Sequence, residues 1–172
     1  MKVVVVLNNI RSAGNVGSIL RTSEGFGVEA VIFSGYTPRP DDERILPHLR
    51  EKLNKQIEKT ALGAEKLVKN YSSHDIISEL REFKKKGYVV AGLENNIEDK
   101  RLISLCNSNF PTLKKRLGER VVLVLGEEVE GINYSFYDII DVFLEIPMFG
   151  EKESFNVSVA AGIALFGLSC LY

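Results

Sequence analysis

The sequence predicts an α/β protein, a single domain in which helices flank a parallel sheet. Val3–Leu7 is an unbroken apolar, mostly β-branched run, which is typical of a central parallel strand buried on both faces. A helical pattern and a second apolar run follow it, as in a β-α-β unit. At 172 residues, with 45% hydrophobic and 26% charged residues, the sequence suits one domain over residues 1–172 with about five to six strands.

The first β-α-β unit has clear boundaries. The first strand is expected to end at Asn8, and Ser12 or Asn15 can cap the helix that follows. This helix is expected to end at Gly27, before a strand over Val28–Phe33. Its apolar positions recur at helical spacing: Val16, Ile19, Leu20 and Phe26.

Residues 34–71 differ from the flanking segments because they are rich in proline and in charges of both signs. This pattern predicts a long, partly helical excursion over the surface. Its basic and acidic residues nearly balance, so a solvated face and a substrate-contacting face both remain open.

The second half continues the alternation of helix and strand. An amphipathic helix is predicted over His74–Lys86, followed by a strand over Tyr88–Leu93. Two more strands are predicted over Arg120–Leu125 and Val142–Ile146. The inward side chains of the helix are Ile76, Ile77, Leu80 and Phe83.

The final segment, Val157–Tyr172, holds no charged residue, so a helix there must be buried on every side. A membrane span is disfavoured because serines and glycines interrupt the run and no basic residue flanks its end. A second copy of the chain is the simplest cover, which predicts a homodimer. The expected contact stripe consists of small residues: Ala160, Ala161, Gly162 and Ala164.

Charge and cysteine content bound the partners and the compartment. The formal net charge of −1 means that any contact with nucleic acid must come from local patches. Cys106 and Cys170 lie far apart without metal-ligand spacing, which suits reduced thiols and a cytoplasmic address. The apolar run at the start is too short for a signal peptide. His48 and His74 lie in charged surface segments, so no metal site is predicted.

Two glycine-rich turns, residues 126–131 and 149–154, each follow a predicted strand. Their backbone groups can therefore lie side by side at one edge of the sheet and form a small-molecule pocket. A dinucleotide is disfavoured because no G-x-G-x-x-G follows a strand and GEEVEG places carboxylates where a pyrophosphate would bind. Acidic residues suit a cationic or hydroxyl-rich ligand.

Three motifs occur in order along the chain: NVGSILRTSEGFG from Asn15, LVLGEEVEGI from Leu123 and IPMFGEKESFNVSVAAG from Ile146. With these motifs the sequence resembles the SpoU family of RNA 2′-O-ribose methyltransferases, members of the SPOUT superfamily. The resemblance implies a deep trefoil knot near the C-terminus, S-adenosylmethionine as cofactor, tRNA or rRNA as substrate and a homodimer through the knot region.

The resemblance also assigns residues. The implied cofactor-binding residues are Leu125, Gly126, Gly131, Ile146, Met148 and Phe155. Arg21 matches the catalytic arginine of the family, and its polar companions are Asn15, Glu128, Ser154 and Asn156. Because a guanidinium stays protonated, we expect Arg21 to anchor an RNA phosphate and the developing alkoxide, with a phosphate-coupled proton transfer as the other possibility.

Two departures from the family pattern stand out. Glu127 occupies a position where relatives commonly have Asn or Ser, which adds a negative charge beside the expected cofactor. Many relatives also carry an N-terminal RNA-binding domain, whereas this sequence is expected to have none. The competing hypothesis is a SPOUT-like module that binds S-adenosylmethionine or RNA without transferring a methyl group.

Overall fold

A computed structural model describes residues 1–171, apart from the side chain of Asn107. The strands are β1 Lys2–Asn8, β2 Ala30–Ser34, β3 Asn70–Ser72, β4 Val89–Leu93, β5 Leu102–Ser104, β6 Arg120–Leu125 and β7 Val142–Glu145. The helices are α1 Ala13–Gly25, α2 Pro47–Ala61, α3 Ala64–Leu67, α4 Ile76–Lys85, α5 Phe110–Leu117 and α6 Val157–Ser169.

The described strands form one seven-stranded sheet in the order β3-β2-β1-β6-β4-β7-β5, and every pairing is parallel. This confirms the predicted α/β class. The predicted strands over Val3–Leu7 and Arg120–Leu125 lie side by side at the centre, as β1 and β6. The sheet also contains two short strands that were not predicted, β3 and β5, beyond the expected five to six.

The predicted first β-α-β unit is present, with shifted boundaries. Ser12 caps α1 by accepting a hydrogen bond from the Asn15 N–H. The helix ends at Gly25 because Phe26 and Gly27 turn the chain, Gly27 with a φ of 63°. Phe26 is therefore partly exposed, whereas the periodicity predicted that it would be an inward position of the helix. The N–H of Val28 donates to the Ser23 carbonyl of α1 and not to a neighbouring strand, and β2 begins at Ala30.

The sheet buries a core on each face. Alternate residues of each strand point to the same face of the sheet. On one face, α1, α2, α5 and α6 cover strand residues such as Val5, Leu7 and Leu123. On the other face, α4 and the 134–140 segment cover Val4, Val6 and Val122. The predicted inward residues of α4 all join this second cluster: Ile76, Ile77, Leu80 and Phe83.

The predicted surface excursion contains α2, which packs closely on α1. A Cβ at Gly17 would overlap the Ile57 carbonyl oxygen and the Thr60 hydroxyl, so the two helices approach at a position where no larger residue fits. The Thr60 hydroxyl donates to the Gly14 carbonyl over 2.9 Å. These contacts fix α2 relative to the helix that carries Asn15 and Arg21.

The terminal helix α6 begins at Val157 as predicted, and its predicted end at Tyr172 lies outside the described residues. Ala161 and Ala164 are fully buried in the chain's own core, so the prediction that they face a second copy is wrong. The apolar residues that α6 leaves exposed are Val159, Ile163 and Phe166. In the part of the chain that the structure describes, no helix has the length and apolar character to cross a membrane.

Candidate active site

A cavity of about 190 Å³ opens at the carboxyl ends of the neighbouring strands β6, β4 and β7. Parallel α/β sheets commonly bind ligands at this edge. Of the predicted cofactor-binding residues, five border the cavity: Leu125, Gly126, Gly131, Ile146 and Phe155. Met148 does not border it. The first glycine-rich turn therefore borders the cavity, whereas of the second turn, residues 149–154, only Ser154 does. The residues that follow this second turn, 155–157, also line the cavity.

The turn after β6 is closed by its own backbone. The N–H and carbonyl of Glu127 pair with the carbonyl and N–H of Gly131, each over 3.0 Å. Gly131 has a φ of 69°, a conformation that side chains disfavour. A Cβ at Gly126 would overlap the Gly131 backbone. Both glycines are thus required by the turn that shapes the cavity wall.

The loop after β4 also lines the cavity, and sequence reasoning missed it. The Glu94 carboxylate accepts hydrogen bonds from the N–H groups of Ile132 and Asn95, over 2.7 and 3.2 Å. The Asn95 side chain donates to the Ile146 carbonyl over 2.9 Å and accepts from the Ile146 N–H over 3.1 Å. The position of these polar residues just after a strand was the available signal.

Residues from all three motifs meet in one hydrogen-bond network. The Asn15 side chain donates to the Glu128 carboxylate over 3.0 Å. The Asn156 side chain donates to the Asn15 side-chain oxygen over 3.2 Å. Asn156 also caps α6 by accepting from the Ser158 N–H over 2.9 Å. The network links residues that are more than a hundred positions apart in sequence.

Glu128 is the acceptor at the centre of this network. Besides Asn15, its carboxylate accepts from the N–H groups of Arg11 and Ser12, over 3.1 and 3.3 Å. Partial burial opposes ionisation, but the hydrogen bonds from Arg11, Asn15 and Ser12 outweigh it and lower the pKa of Glu128. The carboxylate is therefore held ionised against the start of α1.

Glu127, the departure from the family pattern, borders the cavity and forms an ion pair with Arg11. The Glu127 side chain is 12% exposed, whereas that of Arg11 is 63% exposed. The three acidic residues of the cavity wall are Glu94, Glu127 and Glu128. No lysine or arginine belongs to the lining among the described residues.

Two other predicted catalytic residues lie apart from this network. Ser154 borders the cavity on the exposed segment before α6. Arg21 is exposed on α1 and does not border the cavity. Within residues 1–171, Arg21 forms no ion pair with Glu24 three residues on. The same residues contain no group of three or more His, Cys, Asp or Glu side chains that could hold a metal ion.

The fold and the motifs have known relatives. A family model described as the SpoU rRNA Methylase family matches residues 2–166. A 23S rRNA (guanosine-2′-O-)-methyltransferase RlmB from Xylella fastidiosa is 33% identical over 163 residues, which are 95% of this chain and 56% of the relative. An RlmB from Neisseria meningitidis is 31% identical over 162 residues, 94% of this chain and 56% of the relative.

A solved structure shares the fold. The AdoMet-bound rRNA methyltransferase from Sinorhizobium meliloti superposes with a TM-score of 0.74 at 20% identity, covering 96% of this chain and 55% of that one. The chain thus spans about half the length of the curated relatives it matches. Because the family model covers nearly all of the sequence, the chain belongs to the SpoU rRNA Methylase family.

Proposed function

We propose that this chain transfers a methyl group from S-adenosylmethionine to a ribose 2′-hydroxyl of tRNA or rRNA. The observation that carries this proposal is the acid-walled cavity at the strand ends, joined to Asn15, Glu128 and Asn156 from all three motifs. Both relatives are named as guanosine-2′-O-methyltransferases of 23S rRNA, which supports the same reaction class.

The charge of the cavity wall suits the proposed cofactor. S-adenosylmethionine supplies a methyl group on a positively charged sulfonium, and carboxylate walls favour a cation. Gly126 and Gly131 both border the cavity, and a glycine has no side chain to cover its main-chain groups, which can hold a polar ligand. The same carboxylates oppose a pyrophosphate, which supports rejecting a dinucleotide.

In the proposed methyl transfer, the chain mainly positions the reacting groups. Asn15 and Asn156 orient one another and the Glu128 carboxylate, which fixes the start of α1 against the cavity. Ser154 lies at the cavity edge with a hydroxyl that can contact the ribose. Arg21, with no ion-pair partner among the described residues, is available to hold an RNA phosphate and stabilise the developing alkoxide.

The proposal includes a trefoil knot formed by the segment after β7. Two contacts support it. The Asn95 side chain bonds to both the carbonyl and the N–H of Ile146, and the Asn96 side chain donates to the Glu153 carbonyl over 3.1 Å. The segment is thus bound to the β4 loop before α6 continues into the core beside α1. A cytoplasmic address stays a prediction.

The proposal also includes a homodimer, with an interface that differs from the predicted small-residue stripe. Val159, Ile163 and Phe166 lie at spacings of four and three along α6 and so share one side of the helix. Their exposed fractions are 49%, 36% and 61%. An apolar stripe of this kind on a terminal helix fits a self-complementary contact.

Radiolabel transfer tests the proposal. The protein is incubated with S-adenosylmethionine carrying a tritiated methyl group and with unmodified tRNA or rRNA transcripts, and RNA-bound label is counted. We expect label in at least one transcript class. Cofactor binding without transfer to either class would favour the inactive binding module, and failure to bind the cofactor by calorimetry would overturn the proposal.

A further inference from the structure

We propose that α2 carries a phosphate-binding stripe for RNA, formed by His48, Lys52, Lys55 and Lys59. The inference deepens the proposed function, since it names a surface through which this chain would hold its RNA substrate outside the cavity. None of the three motifs contains these residues.

The stripe follows from helical geometry. Successive members are four, three and four positions apart, so they lie along one side of α2. All four are exposed, whereas Ile57 and Ala61 on the opposite side are buried in the core. At 1.5 Å per residue the stripe is roughly 16 Å long, which is enough to contact several successive phosphates.

The charges of the stripe are available to a ligand. Lys52 and Lys59 form no ion pair with the described residues. Lys55 pairs with Glu51 over 2.7 Å, but both side chains are at least 70% exposed. A pair this exposed contributes only about 0–1 kcal/mol, so Lys55 can exchange its partner readily. The helix dipole accounts for Lys59 alone, because only that lysine lies in the last turn.

The stripe is connected to the proposed catalytic residues through α1. Gly14 and Gly17 contact α2, and Arg21 lies seven and four positions after them, on the same side of α1. Arg21 is therefore exposed beside the junction of the two helices. The stripe faces away from the α1 contact, so it would hold RNA on the outer side of α2, and a molecule with a net charge of −1 needs such a local patch to attract phosphate.

The test compares two triple variants that each remove three positive charges. Lys52→Gln, Lys55→Gln and Lys59→Gln remove the stripe. Arg81→Gln, Lys85→Gln and Lys86→Gln form the matched control on and beside α4, which packs on the other face of the sheet. Glutamine has nearly the helix propensity of lysine and arginine, so both variants should fold. Calorimetry with S-adenosylmethionine checks that each cavity is intact.

Binding of a fluorescein-labelled 20-nucleotide RNA of mixed sequence is measured by anisotropy over a series of KCl concentrations. Each phosphate contact on a single strand contributes about 0.7 to the slope of log affinity against log salt. The stripe variant should therefore reduce the slope by about 2, with at least a tenfold loss of affinity at low salt. The control should keep the wild-type slope.

Three results would overturn the stripe: an unchanged slope in the stripe variant, an equal reduction in the control, or wild-type binding that does not depend on salt. Loss of polyglutamate binding with unchanged RNA binding would assign the surface to an acidic protein instead. The outcomes are separable from those of the methyltransferase proposal. If the wild type transfers methyl groups but the stripe variant leaves the salt slope unchanged, only the stripe is refuted. If the stripe variant reduces the slope but the wild type does not bind the cofactor, only the methyltransferase proposal is refuted.

Discussion

Gly131→Ala tests whether the turn after β6 shapes the cofactor cavity. Gly131 has a φ of 69°, and a Cβ there would overlap the Glu94 carboxylate. Glu94 would have to move, and the Ile132 N–H would lose its 2.7 Å hydrogen bond. The substitution therefore combines backbone strain with the loss of a hydrogen bond from the turn to Glu94, which also lines the cavity.

The magnitude follows from these two effects. An alanine in the left-handed region costs about 1–2 kcal/mol, and a partly buried N–H left without a partner costs about 1–3 kcal/mol. The free energy of unfolding should thus fall by about 2–5 kcal/mol. Affinity for S-adenosylmethionine should fall at least about tenfold, or 1.4 kcal/mol, because Gly131 borders the cavity.

Gly27→Ala is the matched control. Gly27 has a φ of 63°, and a Cβ there would meet no atom within 4 Å. It should show the strain alone, about 1–2 kcal/mol, with unchanged cofactor affinity. Urea denaturation gives the stability of both variants, and calorimetry gives their affinities. Equal effects of the two substitutions on both quantities would refute the role assigned to the Glu94 contact.

Arg21→Ala should leave the free energy of unfolding and the cofactor affinity nearly unchanged, because Arg21 is exposed. Its rate of methyl transfer in a single turnover should fall by two or more orders of magnitude, a loss of about 3 kcal/mol of transition-state stabilisation, and an unchanged rate would show that Arg21 is not part of the mechanism. Phe166→Glu should convert a dimer into a monomer in sedimentation at micromolar concentration with little loss of thermal stability, since Phe166 is exposed on α6, and a wild type that is already monomeric would contradict the interface. The folded-state pKa of Glu128 is lowered, so its stabilisation is present above the unfolded-state pKa of about 4.3 and is lost as pH falls through the folded-state pKa. Glu128→Gln should therefore be less stable than the wild type at pH 7, with a difference that shrinks toward pH 3, and a pH-independent difference would argue against the ionised network.

The central strands could be predicted because their apolar runs are long and β1 and β6 are buried on both faces. The short strands β3 and β5 could not, because three residues carry no periodicity and both strands lie at the edges of the sheet. Because α6 contains no charged residue, its sequence does not distinguish a buried side of the helix from an exposed one. Sequence alone could therefore not show that Ala161 faces the core while Phe166 is exposed.

The site was predictable where a motif marked it. The motifs placed Asn15, Glu128 and Asn156 among the functional residues, and the structure brings these three together. Glu94 and Asn95 were missed because their partners, Ile132 and Ile146, are 38 and 51 positions away in sequence. Such contacts depend on the order of the strands, which a local pattern does not contain.

The position of the transferred methyl group tests the central claim most directly. RNA labelled by the protein with tritiated S-adenosylmethionine is hydrolysed in alkali, which requires a free 2′-hydroxyl to cleave the chain. The account predicts that the label is recovered in alkali-resistant dinucleotides, whose 2′-oxygen is blocked by the methyl group. Label recovered in single nucleotides would place the methyl group on a base and contradict ribose methylation.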